Sequence, residues 1–229
     1  MSPGARFRAL LNDPPLVCLG AHDPVTAKLA EQAGAKAVFV SGYAASAVIA
    51  GAPDLGVITQ TEMFEHVRRI CRATALPVFA DCDTGYGGPL EAQRTIRLWE
   101  EAGAAALHVE DQVAPKKCGA FAAKEIIPVI DMQQKLRAML EARRDPDFFV
   151  VARTDSFGVT SFDETLERME AYAATGVDGR TLYRQSVWDG RQPAVPHGRS
   201  GTQAWQRRVG IPGAHRSSGK STRLQNRIG

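Results

Sequence analysis

The chain has 229 residues, 44% of them apolar, and a formal net charge of +3. That length suits one large domain or two small ones, and the apolar fraction is ordinary for a globular protein. No run of about 18 apolar residues exists and residues 1–15 lack an apolar signal core, so neither a membrane span nor a secretory leader is expected, and a cytoplasmic location is.

Residues 5–11 read as a short amphipathic helix ended by Asn12-Asp13-Pro14-Pro15. Leu16 to Gly20 is a first strand. Asp23-Pro24 supplies an N-cap and an N1 proline for a helix to about Ala33. Ala37 to Val40 is a second strand, followed by Ser41-Gly42-Tyr43 and a run of small residues to Ala50. Gly51 to Gly56 is a loop containing Asp54. Thr59 and Glu62 form a capping box for a helix to about Ala73.

Pro77 to Ala80 is an apolar run that reads as a buried third strand. It ends in Asp81-Cys82-Asp83 and a glycine-rich turn. Residues i and i+2 of a strand share a face, so Asp81 and Asp83 are expected to point together and Cys82 away. Two adjacent carboxylates repel unless a proton or cation lies between them, which is how an oxygen site for a hard divalent ion is prepared. An acidic strand end capping the next helix is the plainer alternative.

A helix from about Leu90 to Ala102 follows, then a fourth strand, Ala105 to Val109, ending in Glu110-Asp111-Gln112. A polar loop from Val113 to Lys124 carries Lys116-Lys117-Cys118-Gly119. Asp131 to Arg143 is a helix. Phe148 to Ala152 is a fifth strand ending in Arg153-Thr154-Asp155, and Phe162 to Ala174 is its helix. Strand, polar loop and helix recur about every 30 residues, the signature of parallel βα units. Ser41, Asp81, Asp83, Glu110 and Arg153 all lie at the C-terminal ends of strands, where a βα barrel or an open α/β sheet forms its site. Each also has a plain reading: Glu110 as a capping acid, Arg153 as an ion-pair partner of Asp155, Ser41-Gly42 as a turn, Lys116-Lys117 as a solvated loop. The four cysteines, Cys18, Cys71, Cys82 and Cys118, form no CxxC pair and read as reduced thiols.

The character changes after residue 178. Residues 1–178 carry 18 Lys and Arg against 24 Asp and Glu, whereas residues 179–229 carry ten against one. Only 13 of those last 51 residues are apolar, and neither helical nor strand periodicity is visible. Two parts are therefore expected: residues 1–178 as a partial (β/α) barrel, and 179–229 as a basic tail, disordered or from a shifted reading frame. Val177-Asp178 looks like the threshold of a sixth strand that does not follow. The tail lacks an aromatic-basic pattern, so nucleic-acid binding is not expected.

Asp81-Cys82-Asp83-Thr84-Gly85-Tyr86-Gly87, Val109-Glu110-Asp111-Gln112, Lys116-Lys117-Cys118-Gly119 and Ala152-Arg153-Thr154-Asp155 resemble, in order, the motifs of the isocitrate lyase / phosphoenolpyruvate mutase superfamily. Gly20-Ala21-His22-Asp23, Ser41-Gly42-Tyr43 and Pro53-Asp54-Leu55-Gly56 match as well. The likeness leans to the 2-methylisocitrate lyase / carboxyphosphonoenolpyruvate phosphonomutase branch and covers about residues 5–178. It implies an α/β fold of the (β/α)8 TIM-barrel type, here truncated after the fifth or sixth unit. It also implies Mg²⁺, with Mn²⁺ as a substitute, held by Asp81, Asp83 and Glu110, partly through water. Ser41, Gly42, Tyr43, Asp54, Gly119 and Arg153 would bind a small keto or hydroxy acid. Cys118 would exchange a proton with the carbon of a departing dicarboxylate, aided by Lys116 and Arg153.

The implied reaction is cleavage of a 2-methylisocitrate-like acid to pyruvate and a dicarboxylate through an enolate. Oxaloacetate decarboxylation and C–P mutation on the same site are the alternatives, and an inactive barrel fragment is a reading of another class. Lysines beside Cys118 should ease its ionisation. The loop departs from the family at Ala120, where a histidine is usual. The later strands and the C-terminal helices that join subunits into a tetramer in that family are not recognisable, although a homo-oligomer is the family expectation.

Overall fold

The computed structural model describes residues 1–182 of the chain, with side chains to Gly179. Expectations for residues beyond Leu182 lie outside the described residues. Seven α-helices and six strands alternate among the described residues: α1 Pro3–Leu10, β1 Cys18–Gly20, α2 Pro24–Gln32, β2 Ala37–Val40, α3 Gly42–Ala45, α4 Gln60–Ala73, β3 Val78–Asp81, α5 Pro89–Ala102, β4 Ala106–Glu110, α6 Val129–Ala142, β5 Phe149–Thr154, α7 Phe162–Ala173 and β6 Gly179–Leu182. The strands form one parallel sheet in the order β1-β2-β3-β4-β5-β6. Sequential parallel order with a helix after each of the first five strands is the (β/α) barrel type of α/β fold. None of the helices among the described residues is long and apolar enough to cross a membrane.

Local chemistry sets the helix starts. Ser2 Oγ accepts from Ala5 N, Asp23 and Thr26 form a reciprocal box, and Thr59 and Glu62 form the expected capping box. Each cap satisfies amides that the first turn would otherwise leave open. The small-residue run is helical: Ser46–Ala50, directly after α3, is a π-helical turn that ends at Gly51.

The two faces of the sheet carry different residues. Val78 and Ala80 of β3, Leu107 and Val109 of β4, and Val150 and Ala152 of β5 belong to one core with Ile96, Trp99, Met132, Leu136 and Met139 of α5 and α6. The other face is aromatic: Phe39 and Phe79 pack at 5.2 Å between ring centroids, and His108 stands 5.4 Å from Phe79. Phe7 of α1 covers the strand starts, 5.9 Å from Phe79 and 5.5 Å from Phe149. Gly4 allows that approach, since a Cβ there would stand 2.4 Å from the Asp147 carbonyl oxygen.

The sixth strand does form, contrary to expectation. Gly179–Leu182 pairs with Val151–Thr154 of β5. Asp178 makes the junction: its amide donates to Val150 O at 3.0 Å, and its carboxylate accepts from Val150 N at 2.9 Å. The same carboxylate is bridged by Arg8 and by Arg143, the latter at 2.8 Å. Strand pairing satisfies backbone groups whatever the side chains are, so a short polar segment joins the sheet once its first residue is anchored. Asp178→Ala should destabilise the fold by about 1–3 kcal/mol, because it leaves the buried Val150 amide without its acceptor and removes the ion-pair partner of Arg8 and Arg143. Urea denaturation measures this, and a loss below about 0.5 kcal/mol would show that the junction is dispensable.

Candidate active site

The polar residues converge at the C-terminal ends of β2 to β5. Parallel register decides which ones meet. Asp81 lies opposite His108, and Glu110 opposite Arg153. These four side chains come from the aromatic face of the sheet, two residues beyond Phe79, Ala106, His108 and Val151 respectively, as strand alternation requires.

Asp81 is held from several sides. Gly42 N donates to its Oδ2 at 3.0 Å and Asp83 N to its Oδ1 at 2.9 Å. His108 Nε2 stands 2.9 Å from Oδ1. The main-chain oxygen of Asp81 accepts from Trp99 Nε1 at 3.1 Å, which ties the strand end to α5. Burial works to raise the Asp81 carboxyl, but His108, Lys116 and Arg153 outweigh it and hold the group below the usual carboxylate range.

Asp83 reaches the same place by a different route from the one expected. The strand ends at Asp81, and Asp83 adopts φ +49°, so the two acids do not share one strand face. A left-handed residue turns the backbone, and the turn brings the side chains back together. The position a Cβ on Gly42 would take is 2.9 Å from Asp81 Oδ2, 3.0 Å from Asp83 Oδ1 and 3.3 Å from Lys116 Nζ. Cys82 points away as expected, buried, with its thiol donating to His108 O at 2.9 Å.

Burial and the neighbouring Asp81 push the Asp83 carboxyl up to about 6, against the pull of Lys116. The sign follows from linkage. Asp83 is neutral in both states below about 3.8; as pH rises to about 6 the unfolded chain ionises first, so stability is lost across that window. Without divalent ions the loss attributable to Asp83 should be on the order of 2–3 kcal/mol. Comparing wild type with Asp83→Asn in urea at pH 4 and pH 7 isolates it. A difference between the two proteins that does not change with pH would rule it out.

Lys116 is buried, not solvated. Its Nζ stands 2.6 Å from Asp54 Oδ1 and 2.9 Å from Asp83 Oδ1. Burial lowers its pKa, but four surrounding carboxylates, Asp81 foremost, raise it well above the ordinary lysine value. Glu110 is raised by burial and by the acids around it, while Arg153 Nη2, at 3.1 Å from Oε2, opposes this. Arg153 also donates to Asp155 at 3.1 Å, so the plain ion-pair reading of Arg153 holds.

The loop after β4 lies over these acids. Cys118 N donates to Asp54 O at 2.8 Å, and its half-buried side chain lies two residues beyond Lys116. The lysines do not flank the thiol as expected. Lys116 turns to Asp54 and Asp83, and Lys117 Nζ donates to Ala123 O. A lysine in a low-dielectric site follows the nearest carboxylates rather than its sequence neighbour. Gly119 is buried, and its carbonyl accepts from Lys124 Nζ at 2.5 Å. Ser41 is half-buried at the start of α3 and makes no capping bond. Tyr43 is 58% exposed, which sets its side chain apart from the buried acids.

Several site residues had no assigned role from sequence. His108 is one, and only the register places it against Asp81. A second group packs behind the acids: Asp111 accepts from Thr154 Oγ1 at 2.7 Å, from Tyr172 OH at 2.8 Å and from Asp155 N at 2.9 Å. Arg168 Nη1 lies 3.3 Å from the same acid. The signal present in sequence was the run Glu110-Asp111-Gln112, where alternate residues face opposite ways.

The donor chemistry suits a hard cation. Asp81, Asp83 and Glu110 are buried oxygen donors, and protein cations, Lys116 and Arg153, neutralise two of them. Among the described residues no three His, Cys, Asp or Glu side chains gather closely enough to form a ready metal cage.

A family model described as phosphoenolpyruvate phosphomutase matches residues 7–186. The chain is 42% identical over 179 residues to 2,3-dimethylmalate lyase of Eubacterium barkeri, covering 78% of this chain and 62% of that protein. It is 44% identical over 174 residues to 2-methylisocitrate lyase of Bacillus subtilis strain 168, covering 76% of this chain and 57% of that protein. Among solved structures it resembles 2,3-dimethylmalate lyase, described as a PEP mutase/isocitrate lyase superfamily member, with TM-score 0.80 and 29% identity, covering 92% of this chain and 68% of that one. It also resembles phosphonopyruvate hydrolase in complex with oxalate and Mg²⁺, with TM-score 0.74 and 31% identity, covering 81% of this chain and 64% of that one. The chain thus spans 51% to 62% of the length of the first relatives it matches. With the parallel βα sheet, the acids at its rim and a match over most of its length, this chain belongs to the phosphoenolpyruvate phosphomutase family, within the PEP mutase/isocitrate lyase superfamily.

Proposed function

We propose that this chain carries the site of a Mg²⁺-dependent carbon–carbon lyase, cleaving a 2-methylisocitrate-like acid to pyruvate and a dicarboxylate. The observation that carries the reading is the joining of Asp81, Asp83 and Lys116 at Gly42, beside the Glu110–Arg153 pair and beneath the Cys118 loop. Relatives named as 2-methylisocitrate and 2,3-dimethylmalate lyases support it.

Asp81, Asp83 and Glu110 would hold the cation, partly through water. When bound, the ion supplies positive charge beside the oxygen that becomes an enolate on C–C cleavage. Arg153 offers a planar guanidinium to a ketone or carboxylate oxygen. Ser41, Gly42 and Tyr43, at the start of the short helix after β2, would bind a substrate carboxylate, with the Gly42 amide already given to Asp81. Lys116 balances the charge of Asp54 and Asp83. Cys118 gives or takes the proton at the carbon of the dicarboxylate. A dry, charge-lined rim strengthens each of these interactions.

Ala120, in place of the family's loop histidine, weakens the lyase reading, and oxaloacetate decarboxylation at the same site is the second reading. The solved oxaloacetate acetylhydrolase, 32% identical, is consistent with it. A coupled assay that detects pyruvate or oxalate, run with 2-methylisocitrate and with oxaloacetate, with and without Mg²⁺, separates the two. Mg²⁺-dependent pyruvate release from 2-methylisocitrate is the expected result. Turnover of oxaloacetate alone would transfer the site to the second reading, and no turnover of either would end both.

A further inference from the structure

We propose that Gln112 is a positioning residue that clamps the Cys118 loop onto the acids at the ends of β4 and β5. Gln112 follows Glu110 by two residues and is 1% exposed. Its Oε1 accepts from Lys117 N at 3.0 Å, and its Nε2 donates to Lys117 O at 2.9 Å. One side-chain amide thus pairs with both backbone groups of one loop residue, as a strand neighbour would. The same Nε2 lies 3.0 Å from Glu110 Oε1 and 3.2 Å from Asp155 Oδ2.

The backbone of Gln112 holds the base of the loop as well. It forms an antiparallel bridge with Ile126, flanked by Val113 N to Glu125 O at 2.8 Å and Ile127 N to Asp111 O at 2.8 Å. The bridge fixes where the loop leaves and returns. The side chain fixes its middle, at the residue between Lys116 and Cys118. Lys116 reaches Asp83 and Asp54, and Cys118 is one residue beyond the clamp, so the position of Lys117 sets both.

The chemistry specifies the residue type. A primary carboxamide offers an acceptor and two donor hydrogens on one rigid plane. Glutamate keeps the length but loses the donor and adds a charge facing two carboxylates. Asparagine is one methylene short. Methionine keeps the length with no polar group that can make the pair. Two hydrogens on Nε2 serve three acceptors, Lys117 O and two carboxylates, so the loop carbonyl and the acids share one donor. The place of the loop is thereby coupled to the place of Glu110 and Asp155.

The catalytic consequence rests on the lyase reading above; the clamp itself does not. The test uses the full chain with Gln112→Glu and Gln112→Met. Alkylation of Cys118 by iodoacetamide is followed by peptide mass spectrometry, with Cys18 on β1 as an internal reference. Loss of one buried amide pair should speed Cys118 alkylation about tenfold in both variants and leave Cys18 unchanged. General unfolding would accelerate both thiols, so the Cys118-to-Cys18 ratio isolates the loop. Where turnover is measurable, kcat should fall about tenfold or more with KM little moved. An unchanged Cys118 rate in a folded variant, or unchanged kcat with the loop released, overturns the proposal. If neither variant folds, hydrogen exchange in the wild type decides: protection of the Lys117 amide by about tenfold or more supports the clamp, and exchange at the unstructured rate rejects it. Absence of lyase activity leaves the alkylation and exchange results standing, so the two readings fail separately.

Discussion

Gly42→Ala is expected to fold normally and lose Mg²⁺ binding by about tenfold and turnover by about a hundredfold, since displacements of an ångström in an active site have effects of that size. The new methyl carbon would stand 2.9 Å from Asp81 Oδ2 and 3.0 Å from Asp83 Oδ1. Neither oxygen can retreat freely. Asp81 Oδ2 accepts from Gly42 N itself, and Asp81 Oδ1 accepts from Asp83 N. Moving the Asp81 carboxylate breaks buried hydrogen bonds, and moving Asp83 breaks its pair with Lys116 at 2.9 Å. Either response spreads the acids that would receive the cation. Stability should fall by about 1–3 kcal/mol, because either response breaks a buried hydrogen bond or ion pair, although alanine suits the first turn of a helix at least as well as glycine does. Calorimetric Mg²⁺ titration beside a thermal melt measures both effects. Wild-type Mg²⁺ affinity in the variant would show that the Gly42 cradle is not the ion's site.

Cys118→Ala should abolish lyase turnover, a loss of about 10²- to 10⁴-fold for a missing proton-transfer group, while leaving pyruvate binding in place. The four thiols differ in setting. Burial raises Cys18, pushes Cys71 up to about 12 and raises Cys82 well above its ordinary value, and all three sit on or beside core elements. Cys118 alone stands on the loop over the acids, with its amide on Asp54 O. Alanine keeps that amide bond and removes only the sulfur. Pyruvate binding by thermal shift, measured with turnover, separates a lost proton carrier from a displaced loop. Full activity in the variant would remove Cys118 from the mechanism.

Local chemistry made much of the molecule legible in advance. The boxes at Asp23 and Thr59 and the proline at Pro24 mark helix starts, because they satisfy amides within three residues of themselves. Apolar runs of four or five residues mark β2, β3 and β4, because strands covered on both sides have little room for polar side chains. The motifs at Asp81, Glu110, Lys116 and Arg153 named the residues that meet. Contacts between elements were not legible. His108 against Asp81 and Arg153 against Glu110 depend on parallel register, which no single strand encodes. Asp83 joins Asp81 through a left-handed turn, not through strand alternation. Lys116 turns from Cys118 to Asp54 and Asp83 because burial makes the nearest carboxylates decide its place. The sixth strand exists because Asp178 anchors a backbone whose side chains give no strand signal. By itself, then, the sequence determined the order of the elements, their caps and the identity of the rim residues, since those depend on neighbours a few positions away. The tertiary structure alone decided which charges pair and where the sheet extends, since those are settled by groups tens of positions apart, up to 170, that only packing brings within hydrogen-bonding reach.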